Sequence, residues 1–186
     1  MVDLPVRNCT RCPALVKTRS RIVNSSGPPT AKIAFVGEGP GLAEDEKGRP
    51  FVGRAGRVQR TLEWAAGIDQ HFVFHTNATR CWGKRNPTPA EVDNCHDYLI
   101  EELRQLNPNV IVALGGVALR SLYKPARAVG EVMGFTLYNS ELPGIPVICT
   151  FHPSYVMRGN WGEVALVLAH FRKAKRIAEE GLHEKF

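Results

Sequence analysis

Four of the five cysteines in this 186-residue sequence are spaced for metal chemistry. Cys9 and Cys12 form a C-x2-C pair, and Cys81 and Cys95 follow far downstream with thirteen residues between them. Four thiolates suit a structural zinc or an iron–sulfur cluster, since both accept tetrahedral sulfur ligation. Such a centre would tie the N-terminal segment, residues 1–30, to the rest of the chain. Singly, Cys81 and Cys95 also read as small buried hydrophobes, the common fate of free cysteine. Cys149 lies inside an apolar run and is read as core. A second group of residues could do polar chemistry: a Gly-rich stretch GEGPG from Gly37 to Gly41, Phe51, Asn77, and a His-Pro-Ser turn opening at His152. Each has an everyday reading on its own: a tight turn or phosphate loop, a core ring, a strand-end cap and a satisfied loop histidine.

The elements that carry these residues are legible from periodicity. Lys32 to Val36 reads as a short buried strand ending at Gly37, with GEGPG directly after it. Ala55 to Ala66 has helical spacing, and Phe72 to Thr76 is a second strand delivering Asn77. Thr88, Pro89 and Glu91 give an N-cap, a first-turn proline and a capping box. That helix runs to about Leu106, where Asn107-Pro108 stops it. Val110 to Leu114 is a third strand, Gly116 to Tyr123 a helix, and Phe135 to Tyr138 and Val147 to Thr150 further strands. A last amphipathic helix from about Glu163 to Glu180 puts Val164, Leu168, Phe171 and Ile177 on one side. Strands alternating with helices imply an α/β fold with a mainly parallel sheet, in which ligands bind beyond the carboxyl ends of the strands. The loops starting at Gly37, Asn77, Gly115 and His152 are therefore where a site belongs.

Composition sets the bounds. With 44% hydrophobic and 23% charged residues the chain is neither disordered nor fibrous, and its length suits one domain spanning residues 1–186. The longest nearly apolar run, Val110 to Leu119, is far short of the ~18 residues needed to cross a bilayer. The N-terminus shows no apolar stretch behind a basic start, so the expectation is a reducing, cytoplasmic location without membrane attachment. A formal net charge of +6 favours polyanionic partners moderately.

Five motifs in register make the combination specific. GEGPG after the first strand, GRPFVGRAG, TNATRC after the second, RNPTPAEVDNC and HPSYVMRG together resemble the family-4, iron–sulfur uracil-DNA glycosylases, over the chain from Cys9 to about Arg158. The resemblance implies a three-layer α/β sandwich, with helices on both sides of a central mainly parallel sheet. It implies a repair enzyme that flips uracil out of single- or double-stranded DNA and hydrolyses its N-glycosidic bond, leaving an abasic site for base excision repair. It also implies a 4Fe–4S cluster on Cys9, Cys12, Cys81 and Cys95, with zinc as the alternative, and a monomer.

The same residues suit that chemistry physically. Flipping a base costs a few kcal/mol of unstacking, recovered by stacking and by hydrogen bonds to the base edge. Phe51 supplies the stacking face. The Asn77 amide offers an acceptor for N3–H and a donor for O4, the uracil pattern and the reverse of cytosine's. Cleavage leaves negative charge on the departing uracil, chiefly at O2, and positive charge on the sugar, so placed charge should dominate catalysis. His152 is assigned as the donor to O2, assisted by backbone N–H groups around Gly39 to Gly41, in the loop that also carries Pro40. Glu38 is assigned to orient water or stabilise the sugar, with Glu44 and Asp45 behind it. Ser154, Tyr155, Met157 and Arg158 resemble the segment that glycosylases push into the minor groove, with Tyr155 and Met157 as wedges and Arg158 on a phosphate.

Two departures carry expectations of their own. Relatives in the wider superfamily place a water-activating Asp where this chain has Gly39, so a general-base role is not transferred to that position. A branch with a Lys/Arg-rich insertion and a reactive His before the last cysteine traps DNA covalently. Here that interval, ATRCWGKRNPTPAEVDNC, is short and lacks His, which predicts turnover. The competing reading is a non-catalytic iron–sulfur or zinc module that binds DNA through the same pocket.

Overall fold

The computed structural model describes residues 5–123, 128–159 and 161–180. A short helix α1 (Pro13–Val16) precedes strand β1 (Ile33–Gly37), then α2 (Leu42–Lys47), α3 (Arg54–Ala65), β2 (Val73–Asn77) and the long α4 (Pro89–Leu106). β3 (Val110–Leu114), α5 (Gly115–Leu122), α6 (Val129–Val132), β4 (Thr136–Tyr138), β5 (Pro146–Thr150), α7 (Pro153–Met157) and α8 (Val164–Glu180) follow. The strands form one sheet in the order β2-β1-β3-β5-β4. β2, β1, β3 and β5 run parallel, and β4 is added antiparallel at the edge.

Strand periodicity explains the three layers. Side chains alternate across a sheet, and along β1 and β3 both sets are apolar. Ile33, Phe35, Val110, Val112 and Leu114 meet Leu62 of α3 and Phe171, Ala174 and Ile177 of α8 on one face. Ala34, Val36, Ile111 and Ala113 meet Leu99 and Leu103 of α4 and Ala118 and Leu122 of α5 on the other. Each fully buried Leu or Phe contributes ~1.5–3 kcal/mol relative to exposure, so both helical layers are held by the same two strands. The fold is the expected α/β sandwich with a central, mainly parallel sheet.

Local signals held where they were chemical. Thr88 Oγ1 accepts from Glu91 N at 3.3 Å, Glu91 Oε2 accepts from Thr88 N at 2.8 Å, and Asn107 ends α4 in the left-handed conformation at φ 47°. Two stretches differ in detail from the expectation. Phe135 lies outside β4 and is 64% exposed, because β4 is a short edge strand. The segment after His152 is a five-residue helix, with Pro153 at its first position.

The order of the strands decides where a ligand goes. The chain leaves β1 toward β2 on one side and returns to β3 on the other, so the crevice at the carboxyl ends of β1 and β3 is the switch point of the sheet. Gly37, Asn77, Gly115 and the residues after Thr150 all emerge at that end.

Candidate active site

Gly37 closes β1 and pairs in register with Asn77 of β2. A Cβ on Gly37 would lie 2.4 Å from Asn77 Oδ1 and 2.8 Å from Phe51 Cζ, so the missing side chain is what lets the amide and the ring approach one point. Phe51 holds a left-handed φ of 55°, a conformation that costs a non-glycine residue of order 1–3 kcal/mol. Two features hold it. Arg60 Nη1 donates to Phe51 O at 2.5 Å, and a Cβ on Gly56 would sit 2.0 Å from that same carbonyl oxygen. Behind the Phe51 ring is His75, centroid to centroid 5.1 Å, on the same side of β2 as Asn77.

Glu44 joins the two Gly-rich loops. Its carboxylate accepts from Gly41 N at 3.1 Å and from Gly53 N at 2.6 Å. The result is a cavity of about 340 Å³ whose wall includes Gly39, Gly41, Phe51, Gly53, Asn77 and His152. The aromatic ring, the amide and the imidazole from three distant stretches thus face one small space. Its volume falls at the low end of the ~300–1,000 Å³ typical of small-molecule sites.

His152 caps α7. Ser154 N donates to His152 Nδ1 at 3.1 Å, and Ser154 Oγ lies 2.8 Å from the same atom. A backbone N–H can only donate, so Nδ1 accepts and the neutral ring carries its proton on Nε2. Burial, with the nearby Arg158 cation second, pushes the pKa down to about 4. At neutral pH the residue is an uncharged donor. Gly115, at φ 86°, lets β3 end against it: a Cβ there would stand 3.1 Å from His152 Cβ.

A second, larger groove of about 600 Å³ shares Gly39, Gly41 and His152 with the first cavity. Glu38, Pro40, Ser154, Tyr155 and Arg158 line it. Burial raises the Glu38 pKa, while Arg120 and Arg158 pull it back down. The Tyr155 ring stacks on Phe151 at 4.6 Å. Met157, expected beside Tyr155, lines neither space. A Cβ on Gly39 would lie 2.5 Å from Thr79 Oγ1, so the loop is built without room for an acidic side chain there.

Two carboxylates expected behind Glu38 do other work. Asp45 is fully buried and accepts from the backbone N–H groups of Ser20 and Arg21, which fastens the N-terminal segment. Glu44 braces the pocket, a role its place in the Gly41-to-Glu44 capping box could have signalled. The Glu63 carboxylate was not foreseen at all: it accepts from Gln59 at 2.8 Å and Gln70 at 2.7 Å, and meets His75 Nε2 at 2.8 Å.

Cys9, Cys12, Cys81 and Cys95 come from three separated stretches, and the neighbouring thiols help to raise the pKa values of Cys81 and Cys95. Arg19 Nη1 donates to Cys81 Sγ at 2.9 Å and Asn94 Nδ2 to Cys12 Sγ at 3.4 Å. Two of the four sulfurs therefore accept a hydrogen bond from a polar side chain. Burial raises the Cys81 pKa and pushes that of Cys95 up to about 11, so the bare thiols are protonated. Among the described residues, no three His, Cys, Asp or Glu side chains are close enough together to hold a single ion. Cys149 is core, its thiol pushed up to about 12 by burial.

Comparison with known proteins gives a consistent result. The family model of the uracil DNA glycosylase superfamily matches residues 25–176. The chain is 41% identical to a Type-4 uracil-DNA glycosylase of Thermotoga maritima, covering 97% of this chain and 95% of that protein. It is 37% identical to the Type-4 uracil-DNA glycosylase of Archaeoglobus fulgidus, covering 82% and 79%. A Type-5 uracil-DNA glycosylase of Pyrobaculum aerophilum is 29% identical, with 79% and 78% covered.

Proposed function

Because the chain belongs to the uracil-DNA glycosylase superfamily, we propose that its pocket takes a uracil flipped out of DNA and that the enzyme hydrolyses the bond between that base and its sugar. The observation that carries this is the shared wall: Phe51, Asn77 and His152 border one cavity of about 340 Å³. Phe51 stacks on the extruded base and Asn77 reads its N3–H and O4. His152 Nε2–H donates to O2 as the bond from the sugar C1′ to N1 breaks and its electron pair passes to the base. A water oxygen adds to C1′ and the water's proton passes, directly or through solvent, to the uracil anion, which leaves neutral uracil and an abasic sugar. A neutral donor matches a leaving group whose charge develops only as the bond breaks. Glu38 faces the adjoining groove, where the sugar would stand, and its carboxylate opposes the positive charge that builds there or orients the water. Ser154, Tyr155 and Arg158 border the same groove and would position the strand through its backbone.

Cys9, Cys12, Cys81 and Cys95 would hold a 4Fe–4S cluster. The all-sulfur donor set and the hydrogen bonds from Arg19 and Asn94 fit such a group. When bound, the cluster supplies a covalent brace between residues 9–12, the loop after β2 and α4, and takes no part in bond cleavage. The enzyme would act as a monomer on single- or double-stranded DNA inside the cell. No helix among the described residues is long and apolar enough to cross a membrane.

A non-catalytic DNA-binding module is not favoured, since the similar proteins are named as glycosylases. The direct test combines anaerobic purification, with visible absorption read for a cluster, and incubation with a uracil-containing oligonucleotide followed by alkali. Strand breaks at uracil support the reading, and retarded but intact DNA contradicts it.

A further inference from the structure

The exposed side of α3 has a composition that the base pocket does not use. Trp64 is 79% exposed, the most open large apolar side chain described. It lines a shallow concavity of about 470 Å³ together with Arg57, Arg60 and Thr61. The helix begins at Arg54, on the wall of the base cavity. Positions 54, 57, 61 and 64 recur at helical spacing, so the stripe runs from that wall for about 15 Å, at ~1.5 Å per residue. Arg54 and Arg57 make no side-chain hydrogen bond or ion pair among the described residues. The single carboxylate of α3, Glu63, is fully buried and bonded to Gln59, Gln70 and His75, so nothing on the helix offsets the stripe's charge. At the far end Arg172 of α8 reaches Ala65 O at 3.5 Å and adds a further cation.

We propose that this face is a track for the DNA strand flanking the flipped nucleotide, with Arg54 and Arg57 meeting phosphates and Trp64 stacking on an unpaired base. Guanidinium groups alternating with an exposed ring form the surface that single-stranded nucleic acid binds without sequence preference. A protein-docking surface would instead be centred on several contiguous apolar side chains, whereas Trp64 here stands among cations. The proposal rests on the glycosylase reading for its occupant. It adds to that reading an extended site on one side of the target base and a preference for strands with unpaired flanks.

The test uses the full-length protein and single-stranded oligonucleotides, with and without uracil, whose flanks are lengthened on the 5′ or the 3′ side only. Affinity is measured by fluorescence anisotropy at several salt concentrations, and thermal melting verifies folding of each variant. In the wild type, lengthening one side strengthens binding about tenfold, consistent with one stacked base at ~1.4 kcal/mol per tenfold. In the Arg57→Gln/Trp64→Ala double variant that gain disappears, and the slope of log affinity against log salt falls by about one. A double variant that keeps the full gain, or a wild type that gains nothing from either extension, overturns the proposal and leaves the face to a protein partner. The uracil-free strands report on α3 whether or not the protein excises uracil, so failure of the track and failure of the glycosylase reading are separate results.

Discussion

Ser154 fixes the tautomer of His152. Its backbone N–H lies 3.1 Å from His152 Nδ1, which leaves Nε2 as the nitrogen that carries the proton in the neutral ring. Burial, aided by Arg158, holds the imidazole uncharged by pushing its pKa down to about 4. The residue proposed to donate to the leaving base is thus a preset donor, positioned by its own helix turn rather than by a charged partner. Such preorganisation requires no rearrangement when charge develops on the base.

In the proposed function Asn77 reads the edge of the base. Asn77→Asp replaces the amide donor with a carboxylate oxygen, so the variant should lose uracil-over-cytosine preference by at least about tenfold, the scale of one bidentate edge contact. Excision from matched uracil and cytosine oligonucleotides measures it. An unchanged preference would remove Asn77 from the pocket assignment.

Gly37 keeps the pocket open. A Cβ there collides with Asn77 Oδ1 and Phe51 Cζ, so Gly37→Ala should displace the ring or the amide at a cost of ~1–3 kcal/mol. Uracil excision should fall by more than about tenfold, with a lower melting temperature. Wild-type excision by this variant would show that the base enters elsewhere.

Glu91 supplies acid-sensitive stability. Arg85 donates to it at 2.8 Å through both Nη atoms, and the Thr88 N–H adds a third bond, which lowers its pKa from 4.5 to about 2. A carboxylate depressed in the folded state stabilises fully above its unfolded pKa and loses that contribution as pH falls through the folded value. The stability gap between wild type and Glu91→Gln, read by urea unfolding, should be constant above pH ~4.5 and shrink toward pH ~2. A gap that persists unchanged down to pH ~2 would contradict the assignment of the shift to this group.

Legibility in the sequence followed the range of the interaction. The Thr88–Glu91 capping box, the apolar strands and the Cys149 core position depend on neighbours within a few residues, and all could be read. The convergence of Phe51, Asn77 and His152 was reachable because strand ends gather at one edge of a parallel sheet. Contacts between distant side chains were not reachable. Arg19 meets Cys81 across 62 residues, and Glu63 meets His75 behind the Phe51 ring, with no local pattern to announce either. Glu44 and Asp45 were assigned as a pair from adjacency alone. Adjacent residues on a helix point in different directions, so one braces the pocket and the other ties down the N-terminal segment.

The split between binding and chemistry at His152 tests the proposed site most directly. Single-turnover excision of uracil and equilibrium DNA affinity, measured side by side for the wild type and His152→Ala, give both quantities. A leaving-group donor at this position gives a rate lower by about 100- to 1000-fold in the variant, with affinity within about threefold of wild type. Equal losses in rate and affinity, or a rate left untouched, would contradict it.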